Sequence, residues 1–237
     1  MTRKALIIGG PDAQIPGVYA DMKNYREFFK SSAGGAWYEH EITTLENPST
    51  SAVRECIRAL QTADYSVVIF AGHGYYSTTR RCTMVQLKAN IEIEEHELKV
   101  GARKHTLIID ACRVVVDDRI LKKAMDSVAI LSARASTSSS RQMFDSAIAR
   151  CAPGLATMYS CALNETAGDI KDVGGRYSSS LLQVGSDWAN ASGVGVLSIS
   201  DAQERAIPMV QKQSGGRQNP THDFPRTVPR FPFAVKT

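Results

Sequence analysis

The sequence has little cysteine and lacks long apolar runs. Its five cysteines are odd in number and form no CxxC pair, so it predicts neither a disulfide framework nor a zinc ribbon. No apolar run approaches the roughly 20 residues that span a bilayer, and the apolar part of MTRKALIIGG is too short for a signal peptide. We therefore expect a protein of the reduced cytoplasm with no membrane partner.

The sequence also lacks a strong excess of either positive or negative charge. The formal net charge is only +4, and the Lys and Arg residues are scattered rather than gathered into a stripe, which argues against a nucleic-acid partner. With 43% hydrophobic and 22% charged residues, the composition is that of a soluble globular protein with a sizeable core. A length of 237 residues fits one large α/β domain, or at most two small ones.

Strand-like apolar runs alternate with segments of helical period. The runs rich in Val and Ile predict strands at residues 4–10, 38–45, 65–71, 105–110 and 154–161, with a hairpin at 83–93. Helices are predicted at 18–29, 49–60, 117–127, 144–151 and 176–188. Continuous apolar strands joined by helices indicate an α/β fold with a mostly parallel central sheet and helices on both faces. Ligand sites in such sheets lie beyond the carboxyl ends of the strands.

A histidine and a cysteine follow two of these strands. The third strand ends in AGHG around His73, and the fourth ends in DACR around Cys112, 39 residues later. Since consecutive strands are usually neighbours, the imidazole and the thiol are expected in one cleft, where the imidazole can accept the thiol proton. The backbone N–H groups of Gly74 and Cys112 would then form an oxyanion hole.

The segments YSVVIFAGHG and HTLIIDAC resemble the histidine and cysteine motifs of the caspase-like clan, which includes caspases, metacaspases, paracaspases and bacterial relatives. The similarity in element order runs from about residue 4 to 161. It implies a caspase–haemoglobinase fold and endopeptidase cleavage through a thioester, with His73 and Cys112 as the catalytic dyad. This cysteine peptidase would act on protein or peptide substrates.

The resemblance also bears on specificity. Caspases that cut after aspartate carry Q-A-C-R-G at the nucleophile, whereas this sequence has DACRV, with the acidic residue of the metacaspase pattern at Asp110. GVYAD, which ends at Asp21, is similar to the metacaspase segment G-C-x-x-D-A-x-N. The resemblance thus implies that both acids line the pocket for the residue before the cut, and two carboxylates favour Arg, with Lys second. Val18 and Ala71 depart from the metacaspase pattern.

The same resemblance suggests a domain division and a form of control. Residues 1–213 would form one peptidase domain, with a large-subunit-like part at 1–133 and a small-subunit-like part at 142–213. The Ser-rich stretch 133–141 is predicted as an exposed processing loop, with candidate self-cleavage after Arg134 and Arg141. Residues 214–237 are predicted as an extended C-terminal tail, which is either a strap or a partly disordered segment. By resemblance, the enzyme would be a regulated effector in bacterial defence or cell death, activated by a partner protease or sensor.

Two alternatives stay open. One is a catalytically silent scaffold with the same fold, and the other is a thiol enzyme that transfers acyl groups on non-peptide substrates. The remaining histidines (His40, His96, His105 and His222) and the acids Glu92, Glu94 and Glu95 show no recognisable ligand spacing, so no metal site is predicted. Phosphate-binding glycine motifs are absent as well. We therefore expect no cofactor, although the sequence does not decide whether the activity depends on calcium.

Overall fold

A computed structural model describes residues 1–116 and 137–237 of the chain. Its strands are β1 (Arg3–Gly10), β2 (Ile42–Glu46), β3 (Tyr65–Gly72), β4 (Gly74–Ser77), β5 (Cys82–Lys88), β6 (Ile91–Glu94), β7 (Lys104–Asp110), β8 (Val115–Val116), β9 (Gly154–Tyr159), β10 (Asp169–Ile170), β11 (Gly174–Gly175), β12 (Gly195–Ser198), β13 (Thr221–Asp223) and β14 (Pro232–Lys236). Its α-helices are α1 (Val18–Lys30), α2 (Thr50–Leu60), α3 (Glu95–Leu98), α4 (Thr137–Arg150), α5 (Arg176–Asn190) and α6 (Ile199–Ser214).

The central sheet has the strand order β13-β9-β7-β3-β1-β2. All of its pairings are parallel except that of β13, which runs antiparallel to β9. The predicted mostly parallel sheet is confirmed. A smaller sheet with the order β6-β5-β4-β8 contains the predicted hairpin, whose turn includes Asn90 at a φ of 62°.

Alternating side chains of the central strands bury two separate cores, one on each face of the sheet. Ile7 and Ile69 belong to the larger core, which helices α1, α4, α5 and α6 complete. Leu6 and Val68 point to the other face, where they pack with residues of α2 and β5. This period of two explains why the strands are apolar throughout, because both of their faces are covered. The predicted α/β fold with helices on both faces is confirmed. No described helix combines the length and apolarity that a membrane crossing requires.

Some boundaries differ from the predictions. The predicted strand at 38–45 begins only at Ile42, because Glu41 accepts the Tyr38 N–H and closes a 3₁₀ turn over Glu39–Glu41. Ser49 caps α2, and its hydroxyl accepts the Ala52 N–H at 3.3 Å. The predicted loop at 133–141 is wrong for residues 137–141, which form the first turn of α4. The helix predicted at 117–127 lies outside the described residues.

The segment after residue 213 is largely extended, and its two strands pair with other strands of the domain. Strand β13 adds an edge to the central sheet, and β14 pairs antiparallel with β12. Phe231, Phe233 and Val235 are buried in the larger core, so the prediction of partial disorder is wrong for this stretch. The sequence pattern gave no sign of this, since prolines and glycines interrupt the apolar residues.

Candidate active site

His73 and Cys112 leave adjacent parallel strands at the same edge of the sheet. Strand β3 pairs with β7 with Ala71 opposite Asp110, so each residue follows its strand by one or two positions. The two segments approach closely, because a Cβ on Gly74 would lie 2.8 Å from the Ala111 Cβ and 3.1 Å from the Cys112 carbonyl oxygen. Only glycine therefore fits at position 74, and the two residues predicted to form the oxyanion hole are in contact.

The imidazole of His73 has an acidic partner that the sequence analysis missed. His73 Nε2 lies 2.9 Å from Asp12 Oδ2. The other carboxylate oxygen of Asp12 accepts the backbone N–H groups of Gln14 at 2.7 Å and Ile15 at 3.1 Å. Burial raises the pKa of Asp12, but the hydrogen bonds from Gln14 and His73 lower it further, so the net pKa is below its usual value. Asp12 is thus an anchored carboxylate that fixes the imidazole.

Cys112 is bonded to a loop rather than to the imidazole. Its Sγ accepts the Ala167 N–H at 3.3 Å and lies 3.7 Å from the Ala167 carbonyl oxygen. Within the described part of the chain, no hydrogen bond joins this thiol to His73. Burial raises the pKa of Cys112, and the charge of Asp110 raises it further against the lowering effect of the Ala167 N–H. The thiol is therefore held protonated in this arrangement.

The two acids predicted for the specificity pocket are brought together and buried, with exposed fractions of 2% for Asp21 and 5% for Asp110. Both oxygens of Asp21 accept the Gly175 N–H, at 2.8 and 2.9 Å. Asp110 accepts the N–H and the hydroxyl of Ser178, at 3.0 and 2.7 Å. Burial raises the pKa of Asp21 well above its usual range, and the neighbouring Asp110 adds to that rise. Burial also raises the pKa of Asp110, although the bonds from Ser178 oppose it.

A third carboxylate, Asp169, joins this pair. It is 8% exposed, and its Oδ2 accepts the Gly17 N–H at 3.0 Å, whereas its buried Oδ1 has no hydrogen-bond partner in the described structure. Burial raises the pKa of Asp169 to about 6, and the charge of Asp110 contributes to the rise. No sequence motif marks Asp169, and its partner Gly17 lies 152 residues away, so it could not be predicted from the sequence.

Glycines of the segment that includes β10 and β11 cover the acids closely. A Cβ on Gly174 would lie 2.0 Å from a carboxylate oxygen of Asp21, and one on Gly175 would lie 2.1 Å from Asp110. Gln218 braces this segment, since it accepts the Gly168 N–H at 3.0 Å and donates to the Ser160 carbonyl at 2.9 Å. The acids therefore face backbone, and a substrate side chain reaches them only if this segment moves.

The candidate processing residues are placed differently. Arg134 lies outside the described residues. Arg141 lies in the first turns of α4, where its guanidinium forms two hydrogen bonds with the Glu41 carboxylate, at 2.7 and 2.8 Å, and stacks on Tyr38. A peptidase needs an extended chain at the bond it cuts, so cleavage after Arg141 requires the start of α4 to unfold. Self-cleavage at either site stays a prediction.

The other histidines lie outside the active site. His40, His96 and His222 are exposed. His105 is buried at the start of β7, where its ring nitrogens lie 2.7 Å from Ser66 Oγ and 3.0 Å from the Leu98 carbonyl oxygen. His105 is therefore structural.

An α/β sheet that places a histidine and a cysteine at the ends of neighbouring strands is the arrangement expected of a thiol hydrolase. The chain matches the caspase domain family of peptidases over residues 2–231, and it belongs to that family. It is thus a cysteine-type peptidase, a hydrolase that acts on protein substrates. The fold is similar to that of caspase-1 from Spodoptera frugiperda, with a TM-score of 0.59 and 12% identity over 94% of this chain and 87% of that chain. No curated protein sequence matches it.

Proposed function

We propose that the protein is a cysteine endopeptidase that cuts after Arg, with Lys second, through Cys112 and His73. The observation that carries the specificity is the cluster of Asp21, Asp110 and Asp169 beside the nucleophile. Three carboxylates in a space that excludes water are costly unless a cation joins them. The buried Oδ1 of Asp169 has no hydrogen-bond partner in the described structure, and it can accept from such a cation once the covering segment has moved. A guanidinium supplies a positive charge and several N–H donors, whereas an aspartate side chain would be repelled.

In this mechanism the Cys112 thiol gives its proton to His73, and the sulfur attacks the scissile carbonyl carbon. The N–H groups of Gly74 and Cys112 stabilise the oxyanion. The C–N bond then breaks, the amine leaves with the proton from the imidazole, and a thioester remains. His73 next takes a proton from water, and the hydroxide attacks the thioester carbonyl. The C–S bond then breaks, the imidazolium returns its proton to the Cys112 sulfur, and the product acid leaves.

The covered acids and the protonated thiol support a regulated enzyme. Residues 168–176 cover Asp21 and Asp110, and the Ala167 N–H donates a hydrogen bond to the Cys112 sulfur. An activating event therefore has to move this segment before the substrate binds. A partner protease or a sensor could supply that event. A role as a cytoplasmic effector in bacterial defence or cell death rests on the family resemblance alone.

Peptide turnover tests the proposal. Fluorogenic peptides ending in Arg, Lys or Asp are offered to the full chain and to Cys112→Ala, with or without calcium, before and after nicking by trypsin that is fully inhibited before the peptides are added. We expect Arg turnover to exceed Lys turnover, with none for Asp and none for Cys112→Ala. Turnover of the Asp peptide would refute the acidic pocket. If no peptide is turned over under any condition, the silent scaffold is the better description.

The hydrogen bond between Asp12 and His73 leads to a separate prediction. In Asp12→Asn, the side-chain oxygen can still accept the N–H groups of Gln14 and Ile15, but its amide group would face His73 as a donor. The imidazole would then favour the wrong tautomer and lose its anionic support. We expect kcat for the Arg peptide to fall by about 10–100-fold with KM little changed, and the pH–rate profile to change shape.

Asp223→Asn, an exposed change on β13, serves as the matched control and should leave both kinetic constants unchanged. If Asp12→Asn instead raises KM alone, or leaves the pH profile intact, the carboxylate does not position the imidazole.

A further inference from the structure

A second set of chemically active side chains lies on the small sheet. Cys82 begins β5, Glu94 ends β6, and His96 lies in the first turn of α3. One ligand atom from each lies within 4.8 Å of the other two. Within residues 1–116 and 137–237, this is the one such group of three or more His, Cys, Asp and Glu side chains, and the proposed peptidase mechanism uses none of its members.

The hairpin register and the turn into α3 bring these residues together. In the antiparallel pairing of β5 with β6, Met84 lies opposite Glu94. Cys82 is two positions before Met84, so the alternation of side chains places Cys82 on the same face of the hairpin as Glu94. His96 lies two residues after Glu94 in the first turn of α3, and its Nδ1 lies 2.9 Å from Glu94 Oε2.

Both cations near the cluster are paired with acids. Glu94 Oε2 lies 2.9 Å from His96 Nδ1, while its other oxygen is bonded to the Arg80 guanidinium, which holds the carboxylate in place. Glu95 is the other acid nearby, and it pairs with Lys99 at 3.0 Å. Arg80 and Lys99 are thus each paired with an acid, which leaves Cys82 Sγ, Glu94 Oε2 and His96 Nδ1 on the shared face.

We propose that Cys82, Glu94 and His96 bind a divalent transition-metal ion of the zinc type, with a water molecule as the fourth ligand. Sulfur, imidazole nitrogen and carboxylate oxygen form a donor set that zinc takes readily. A tetrahedral ion with ordinary bond lengths needs its ligand atoms roughly 3.3–3.8 Å apart, so the present spacing requires only small side-chain movements. Binding would release the proton of the Cys82 thiol. This inference does not depend on peptidase activity.

Cobalt titration tests the site, because Co²⁺ replaces zinc and reports its ligands by absorption. The full chain with Cys112→Ala is used, which removes the catalytic thiol as a competing ligand. We expect one equivalent of Co²⁺ to give a thiolate charge-transfer band and tetrahedral visible bands, both displaced by zinc. Cys82→Ser should abolish the charge-transfer band, and His96→Gln should weaken binding at least about tenfold, or about 1.4 kcal/mol.

Cys56→Ser is the matched control, since it removes a half-exposed thiol from α2 and should leave the titration unchanged. His96 has a 62% exposed side chain, so its variant should fold even if Cys82→Ser does not. A charge-transfer band that survives in Cys82→Ser, an affinity unchanged in His96→Gln, or no band in the Cys112→Ala chain would each overturn the proposal.

Discussion

Alanine at Cys112 is expected to lower turnover of the Arg peptide by about 10⁴-fold or more, and alanine at His73 should have nearly the same effect. The reason lies in the environment of the thiol, whose pKa burial raises and the charge of Asp110 raises further. Without the imidazole the sulfur stays protonated and is a poor nucleophile. Steady-state kcat/KM for each purified variant measures the effect.

The double variant makes the prediction sharper. If Cys112 and His73 act as one unit, replacing both should cost little more than replacing either, so the losses do not add. Cys56→Ala and His222→Ala are the matched controls, because each removes the same type of side chain away from the site. Substantial activity in His73→Ala, or losses that add in the double variant, would mean that another group activates the thiol.

Asparagine at Asp169 is expected to stabilise the protein at neutral pH. Burial raises the pKa of Asp169 from its ordinary value of 3.8 to about 6, so the folded state holds the proton more tightly than the unfolded state does. The stability that this group contributes is complete below pH 3.8 and is lost as the pH rises through about 6. At pH 7.5 the charged form therefore opposes folding, by on the order of 1–3 kcal/mol.

Urea unfolding at pH 7.5 and at about pH 4 measures this effect. Asp169→Asn should raise the free energy of unfolding at pH 7.5 and leave it nearly unchanged at about pH 4, where the wild-type carboxyl is already protonated. Asp172→Asn is the control, because Asp172 is exposed on the same segment and already has a positive φ of 65°, which asparagine tolerates. Equal stabilisation at both pH values would mean that the charge is not the cause.

The same substitution should weaken catalysis. With one carboxylate fewer for the substrate guanidinium, we expect kcat/KM for the Arg peptide to fall by about 10–100-fold, chiefly through KM. A variant that is more stable yet less active would indicate that the acids are kept for the substrate and not for the fold. Activity equal to that of wild type would remove Asp169 from the specificity pocket.

Local patterns were sufficient to predict the central sheet and the positions of His73 and Cys112. Strands such as β3 and β7 are continuous apolar runs, and the residues after them follow at the same edge. Helix α6 was not predicted, because its buried positions include small or polar residues such as Ala202 and Gln203 and it contains Pro208. The tail strands were missed because their burial depends on contacts with residues far away in the sequence.

The acidic residues of the site could be predicted only where they lie in a recognisable motif. Asp21 and Asp110 could be proposed because each lies in a segment that resembles a family motif. Asp12 lies in a loop and Asp169 in the two-residue strand β10, and their partners His73 and Gly17 lie 61 and 152 residues away. Each of these carboxylates has its role at the site only because the fold brings its partner near. The spacing of residues along the sequence does not show which distant residues the fold brings together.

The pairing of β3 with β7 has a consequence for comparing this chain with its relatives. Backbone hydrogen bonds between these strands fix where the imidazole and the thiol emerge, while β4, β5, β6 and α3 fill the connection between them. The turns within that connection, such as the one around Asn90, can gain or lose residues without moving either group, provided that Ala71 stays opposite Asp110 and Gln86 still donates its N–H to the His73 carbonyl. The number of residues between the histidine and the cysteine can therefore vary more freely than the strand register, which is the feature that homologues should share.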